Sequence, residues 1–169
     1  MRKFAVSFVL LFFLQSCGPL ISDYSIDAYK NATTLKAETE ALVNKSGQPY
    51  ASLKNEIDAH TTKINAAYEF SAGLPYNSLS TQQWQILRDP DGALYGWFVK
   101  YWKQQGTVSP VFRAEFRQQL NDAYDAIICL EANKKAAAAC HPAAVAAAES
   151  AGGGSGAANN VAKSAQKRQ

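Results

Sequence analysis

Apolar and small side chains recur every seven residues in two stretches, residues 20–46 and 50–72, and predict one helix in each. The first stripe is formed by Ile21, Ala28, Leu35 and Leu42, interleaved with Tyr24, Ala32 and Thr39. The second is formed by Tyr50, Ile57 and Ile64, interleaved with Leu53, His60 and Ala67. The link between the stretches contains Gly47 and Pro49, which favour a helix end and a helix start. So short a link predicts an antiparallel hairpin, with His60 as a core histidine inside it.

A third, broken helix is predicted next. Ser80 and Gln83 match a capping box, so we expect this helix to begin at Thr81. The segment Asp89-Pro90-Asp91-Gly92 then matches a type I turn that interrupts it. The same segment lacks the further acidic residues and the closing glutamate of a calcium loop, so we expect no calcium there.

The last predicted helix begins at Ser109-Pro110, a capping residue followed by a first-turn proline. Its apolar stripe consists of Phe112, Phe116, Leu120, Ala123, Ile127 and Leu130. Pro142 disfavours helix at residue 141, so this helix is expected to end by about residue 140. The predicted fold class is therefore all-α, an antiparallel bundle with a helical hairpin, a broken third helix and a long fourth helix.

The N-terminus has the pattern of an export signal. Arg2 and Lys3 precede the uncharged apolar run 4–14. As a helix, those 11 residues would extend only about 16 Å, too short to span a bilayer. With Leu14, Ser16 and Cys17 placed directly behind it, this segment resembles the type II signal peptide and lipobox of bacterial lipoproteins. The alternative is an ordinary secretory signal in which Cys17 is unmodified.

The lipoprotein resemblance implies cleavage after Ser16 and attachment of diacylglycerol and palmitate-type chains to Cys17. Gly18 stands where Asp would favour retention in the inner membrane. The resemblance therefore implies an outer-membrane protein that is lipid-anchored and faces the periplasm, or a cell-membrane lipoprotein in a bacterium with one membrane. Two or more acyl chains anchor a protein far more stably than one.

Three regions follow from this reading: a signal peptide at 1–16, a helical bundle domain at 17–145 and a tail at 146–169. The tail is rich in Ala and Gly, has basic residues and offers no large apolar side chain beyond Val161, so we expect it to be disordered. Loose contact with the wall or with anionic lipid would suit its charge. Without the signal the chain carries 15 basic and 14 acidic residues, a balance that argues against nucleic acid as a partner.

Two cysteines remain besides Cys17. An oxidising compartment favours a disulfide between Cys129 and Cys140. Along an unbroken helix, however, they would lie about 16 Å apart, which exceeds the reach of a disulfide. Either the chain folds back near residues 133–135, or both thiols stay free.

The segment 94–102 is the most unusual part of the domain, with five aromatics in nine residues. Most of it is expected in the core, with Phe98 inside and Trp102 partly exposed near the helix end. The alternative is that the aromatics contact a partner or ligand. The candidates for such a surface are Trp84, Trp97, Tyr101 and Trp102.

No catalytic motif was found, neither a phosphate-binding loop nor a nucleophile elbow nor a paired-histidine helix. We therefore expect no enzyme activity, no cofactor and no metal. The leading hypothesis is a lipid-anchored protein of the cell envelope that binds a protein partner, such as an accessory part of a secretion or conjugation assembly. The alternative hypothesis is a helical bundle that binds a small ligand or lipid in an aromatic-lined pocket.

Overall fold

The computed structural model describes residues 22–134 and residue 140. These residues form five helices: α1 (Ile26–Asn44), α2 (Tyr50–Gly73), α3 (Ser78–Arg88), α4 (Tyr95–Gln105) and α5 (Pro110–Ala132). The described residues contain no strand, so the predicted all-α bundle is confirmed. In this part of the chain, no helix has the length and hydropathy needed to cross a membrane.

Capping explains where two of the helices begin. The Ser25 hydroxyl accepts a hydrogen bond from the Ala28 N–H at 3.2 Å, so α1 starts at Ile26, several residues later than expected. Ser109 caps α5 in the same way through the Phe112 N–H at 3.3 Å, and Pro110 takes the first helical position as predicted.

The predicted start of the third helix is wrong. The helix α3 begins at Ser78, and Ser80 is a buried residue within it rather than its cap. The cause lies in the preceding turn. The Asn77 amide donates to the Ser71 carbonyl at 3.1 Å and to the Ser71 hydroxyl at 2.9 Å. These bonds fix the turn from α2 into α3 three residues before the capping-box pattern would start the helix.

The three long helices α1, α2 and α5 run antiparallel to their chain neighbours, and α5 returns along α1. The two short helices follow each other along the remaining side, where α3 contacts α2 and α5 and α4 contacts α2. We call the end with the α1–α2 turn the upper end. There the Val108 N–H donates to the Ser46 carbonyl at 2.8 Å, and the Tyr50 N–H donates to the Gly106 carbonyl at 2.8 Å.

The opposite end, the lower end, contains the start of α1, the α2–α3 turn and the end of α5. The Ser22 N–H donates to the Tyr76 carbonyl at 3.2 Å, so the chain enters the bundle beside the α2–α3 turn. The α1–α2 turn and the α2–α3 turn are therefore each hydrogen-bonded to another part of the chain, at opposite ends of the bundle.

The core lies along the predicted stripes, and large aromatic rings fill its centre. The predicted stripes supply Ala32, Leu35, Leu42, Ile57, Ile64, Phe116, Leu120 and Ile127 to it. The largest fully buried side chains are Trp84, Trp102, Tyr95, Tyr124, Phe98 and Phe116. Phe98 is therefore in the core, as expected from the sequence.

The junction between α3 and α4 brings two backbones into unusually close contact. Gly92 N–H donates to the Asp89 carbonyl at 3.2 Å, which closes the turn predicted there. At Gly96, a Cβ atom would lie only 2.1 Å from the Arg88 carbonyl oxygen. The first turn of α4 can therefore pass the end of α3 only because residue 96 has no side chain.

The substitution Gly96→Ala is expected to destabilise the domain by about 1–3 kcal/mol, the usual cost of forcing extra atoms into a packed site. The control Gly73→Ala also replaces a helical glycine, but a Cβ there meets nothing within 4 Å. We expect that control to stay within about 1 kcal/mol of the parent protein. Urea unfolding of the two variants measures the difference, and equal midpoints would contradict the close contact at Gly96.

Candidate functional site

Polar side chains from α1, α2 and α5 meet in the interior of the bundle. Thr39 Oγ1 lies 2.7 Å from His60 Nε2 and 2.7 Å from the Tyr124 hydroxyl. On its other side, His60 Nδ1 lies 3.3 Å from a Glu38 carboxylate oxygen. The second Glu38 oxygen accepts from Lys63 at 2.7 Å. A chain of hydrogen bonds thus leads from the surface pair Glu38–Lys63 to the buried Tyr124.

Burial keeps the inner members of this network uncharged. It lowers the pKa of His60 below its ordinary 6.5, and the nearby Glu38 carboxylate only partly opposes this effect. Burial also raises the pKa of Tyr124 far above its ordinary value. The hydrogen bond from Lys63 is the main reason that the pKa of Glu38 is lowered. At neutral pH the network therefore contains a neutral imidazole and a neutral phenol beside an ionised carboxylate.

Those charge states assign the direction of each hydrogen bond. The ionised Glu38 carboxylate can only accept, so the proton of the neutral His60 ring is on Nδ1. Its Nε2 atom then accepts from the Thr39 hydroxyl. The Thr39 oxygen in turn accepts from the Tyr124 hydroxyl, so every group in the chain is satisfied.

A carboxylate, an imidazole and a hydroxyl in this order also occur in hydrolases that activate a nucleophile. Here Thr39 is only 1% exposed and His60 only 5% exposed. The Thr39 oxygen is already bonded to both His60 and Tyr124. No substrate atom can reach this oxygen without opening the core, so the geometry suits a structural network better than a catalytic one.

Within residues 22–134 and 140, no three His, Cys, Asp or Glu side chains are grouped closely enough to hold a metal ion. In the α3–α4 turn, the Asp91 carboxylate pairs with Lys100 at 2.7 Å. An Asp89 carboxylate oxygen accepts from the Asp91 N–H at 2.9 Å. Both acidic side chains of that turn therefore have partners within the chain.

Two of the four aromatic candidates cannot form a surface. Trp84 and Trp102 are buried, and the expectation that Trp102 is partly exposed is wrong. The loop after Gly106 bonds to the α1–α2 turn, and that turn covers Trp102. Trp102 Nε1 donates to the Gln48 carbonyl at 3.1 Å, and its ring meets the Tyr50 ring edge-on at 5.9 Å. The Trp84 ring packs edge-on against a buried tyrosine ring of the core.

The remaining candidates, Trp97 and Tyr101, are half-buried and form a group with Phe112, which we call the aromatic cluster. The Trp97 and Tyr101 rings stack at 5.2 Å, and the Tyr101 and Phe112 rings lie 4.6 Å apart. Trp97 also contacts the buried Phe116 at 5.8 Å. Sequence reasoning placed Phe112 in the core stripe alone. Phe112 lies in the first turn of α5, where neighbouring helices cover a side chain less completely. This position could have indicated that Phe112 is also near the surface.

Cys129 and Cys140 are joined by a disulfide, with their Cα atoms 5.5 Å apart. The helix α5 ends at Ala132, before the second cysteine, so the chain can fold back. Asn133 stabilises this end because its N–H and its side-chain amide both donate to the Cys129 carbonyl, at 2.9 and 3.0 Å. The third cysteine, Cys17, lies outside the described residues, as does the tail 146–169.

A buried ion pair at the lower end was missed by sequence reasoning. The Lys134 ammonium lies 2.7 Å from a carboxylate oxygen of the fully buried Glu131. It also donates to the Asn77 side-chain oxygen and, at 3.2 Å, to the Ser80 hydroxyl. No local pattern distinguishes these residues from ordinary solvated charges near a helix end.

A shallow groove of about 390 Å³ lies beside the α2–α3 turn and is lined in part by Leu74, Tyr76, Asn77 and Thr81. The Asn77 amide is already bonded to Ser71 on one side and to Lys134 on the other. The groove is therefore separate from the predicted tryptophan-lined site, and its most buried polar side chain is already engaged.

Comparisons of the chain with protein-family models, with curated proteins and with solved structures found no match.

The lowered pKa of His60 predicts that the domain loses stability as the pH falls below about 6.5. Below that pH, His60 binds a proton more readily in the unfolded chain than in the folded core. The free energy of unfolding therefore falls until the pH reaches the folded-state pKa of His60. Well above pH 6.5, His60 is neutral in both the folded and the unfolded chain, so it no longer makes the stability depend on pH. Urea midpoints measured between pH 7.5 and 5 should fall in the parent protein. They should fall less in His60→Gln, and identical pH profiles would contradict the assignment.

We predict that the Cys129–Cys140 disulfide forms in the native protein. Mass spectrometry of non-reduced peptides should find the two cysteines linked. The double variant Cys129→Ser, Cys140→Ser should be less stable by about 2–3 kcal/mol, because the unfolded chain regains freedom. Two freely alkylated thiols in the native protein would contradict the prediction.

Proposed function

We propose that the protein is a lipid-anchored, non-enzymatic component of the bacterial cell envelope that binds a protein partner. In a bacterium with two membranes, it is attached through Cys17 to the outer membrane and faces the periplasm. The lipoprotein pattern of Leu14, Ser16 and Cys17 supports this location. The Cys129–Cys140 disulfide is in keeping with it, because such bonds persist in oxidising compartments.

The aromatic cluster is the observation that carries the binding role. Its three rings are large, partly exposed and held by one another, so little side-chain freedom is lost when a partner covers them. Val111, next to Phe112 in the chain, is 67% exposed. Trp and Tyr are enriched among the residues that dominate protein interfaces.

Catalysis, nucleic-acid binding and the binding of a small ligand have weaker support. The hydroxyl of Thr39 is enclosed, so the polar network offers no accessible nucleophile. The near balance of basic and acidic residues supports a protein partner over nucleic acid. The alternative of a ligand pocket lined by Trp84, Trp97 and Trp102 is weakened because two of these rings are packed into the core.

Replacing Cys17 by Ala tests the anchor. The variant should lose labelling by radioactive palmitate and move from the membrane fraction to the soluble fraction, since no thiol remains to take the lipid. The double variant Cys129→Ser, Cys140→Ser is the matched control and should keep the label. Unchanged labelling of Cys17→Ala would refute the proposed attachment site.

Paired truncations test the aromatic cluster. Trp102→Ala should cost about 3–5 kcal/mol, as for other large buried aromatics. Trp97→Ala should cost clearly less, because part of its ring already faces solvent. Urea unfolding measures both values.

The same variants report on binding. We expect formaldehyde cross-linking in intact cells to join the parent protein to a discrete envelope protein. Trp97→Ala should lose this product while remaining folded, and the exposed-site control Ala66→Ser should retain it. Equal and severe destabilisation by Trp97→Ala and Trp102→Ala would show that the cluster belongs to the core and would reject the binding surface.

A further inference from the structure

Exposed large apolar side chains are unevenly distributed along the bundle. Among the described residues, one of them, Val111, lies at the upper end in the first turn of α5. The others all lie at the lower end, and we call them the apolar rim: Tyr24, Ile26, Phe70, Tyr76 and Leu79.

The helix bounds place the apolar rim at one end. Ile26 is the first residue of α1, and Leu79 is in the first turn of α3. Phe70 is in the last turn of α2. Tyr76 lies in the turn between α2 and α3, where its carbonyl accepts from the Ser22 N–H at 3.2 Å. The rim therefore lies at the end of the bundle where the chain enters it.

The same point is the closest part of the bundle to Cys17. Five residue steps separate Cys17 from Ser22, which limits the distance between them to about 18 Å even in a fully extended chain. The 24 residues of α2 make the bundle about 36 Å long. A lipid on Cys17 thus holds the lower end close to the membrane surface, whereas the upper end can lie far from it.

The chemistry of the rim fits the interfacial layer of a bilayer. Tyrosine side chains place an apolar ring among lipid chains and a hydroxyl among headgroups, and Phe, Ile and Leu add buried apolar area. Among the described residues near the rim, the exposed charged ones are Asp23, Asp27, Glu69 and Lys30, and the half-buried Arg88 lies 4.0 Å from Glu69. Lys134, also at this end, is buried against Glu131. Among the described residues, this end thus exposes more acidic than basic side chains, which suits zwitterionic headgroups.

We propose that the apolar rim inserts into the headgroup layer of the membrane that holds Cys17, so that the bundle stands on its lower end. The aromatic cluster, on α4 and the first turn of α5, then lies towards the end of the bundle farther from that membrane, where a partner can reach it. The inference rests on the proposed lipid anchor, and it adds a second, non-covalent contact that fixes the orientation of the domain.

Photo-crosslinking in intact cells tests the inference. The photoreactive residue p-benzoylphenylalanine is placed in the full-length protein instead of Tyr76, and in separate proteins instead of Val111 or Ala66. All three positions are exposed, so the replacements leave the core intact. After irradiation, mass spectrometry should find a phospholipid adduct at position 76 and none at positions 111 and 66.

Palmitate labelling of the same cells separates the two proposals. If Cys17 is acylated and position 76 gives no lipid adduct, or gives a protein adduct, the apolar rim does not face the membrane and the inference is overturned while the anchor stands. If Cys17 is not acylated, the proposed anchor fails. A lipid adduct at position 76 would then still support the rim as a membrane contact, and its absence would overturn the inference as well.

Discussion

The hydroxyl of Thr39 joins the three long helices of the bundle at a single point. It donates to His60 on α2 and accepts from Tyr124 on α5, with both contacts at 2.7 Å. A slip of α1 by one turn would leave buried polar atoms without partners, at a cost of about 1–3 kcal/mol for each group. Apolar stripes alone tolerate such slips better, because one aliphatic residue packs much like another. The network thus fixes the register that the stripes leave open.

A fixed register gives the bundle two different ends. At the upper end the α1–α2 turn bonds to the loop after α4, which buries Trp102 and leaves the aromatic cluster half-exposed nearby. At the lower end the chain enters beside Tyr76, and the Cys129–Cys140 disulfide and the buried Glu131–Lys134 pair hold the end of α5. One end is therefore suited to the anchor and the other to a partner, which is the division of roles that we propose.

Much of the fold was predictable because helical periodicity records burial directly. The stripes in α1, α2 and α5 predicted Ala32, Ile57 and Leu120 in the core, where they lie. Predictions at helix ends were less accurate, since tertiary contacts decide them. Ser80 was expected to be a cap but is a buried partner of Lys134. The Asn77 side chain that sets the start of α3 depends on a bond to Ser71 that no local pattern reveals.

The candidate site was only partly predictable for the same reason. Trp97 and Trp102 are five residues apart on one helix, and spacing alone could not show which of them the α1–α2 turn covers. The turn covers Trp102, through the bond to Gln48 and the ring of Tyr50. The placement of Phe112 beside Tyr101 likewise requires the packing of α4 against α5 to be known.

Neutron reflectometry of the lipidated protein on a supported phosphatidylethanolamine bilayer measures the proposed orientation of the domain most directly. A bundle that stands on its apolar rim predicts protein density that begins within the headgroup layer and extends about 36 Å from it, the length of α2. A water-filled gap between the headgroups and the protein would contradict the account. So would a layer only as thick as helices lying flat.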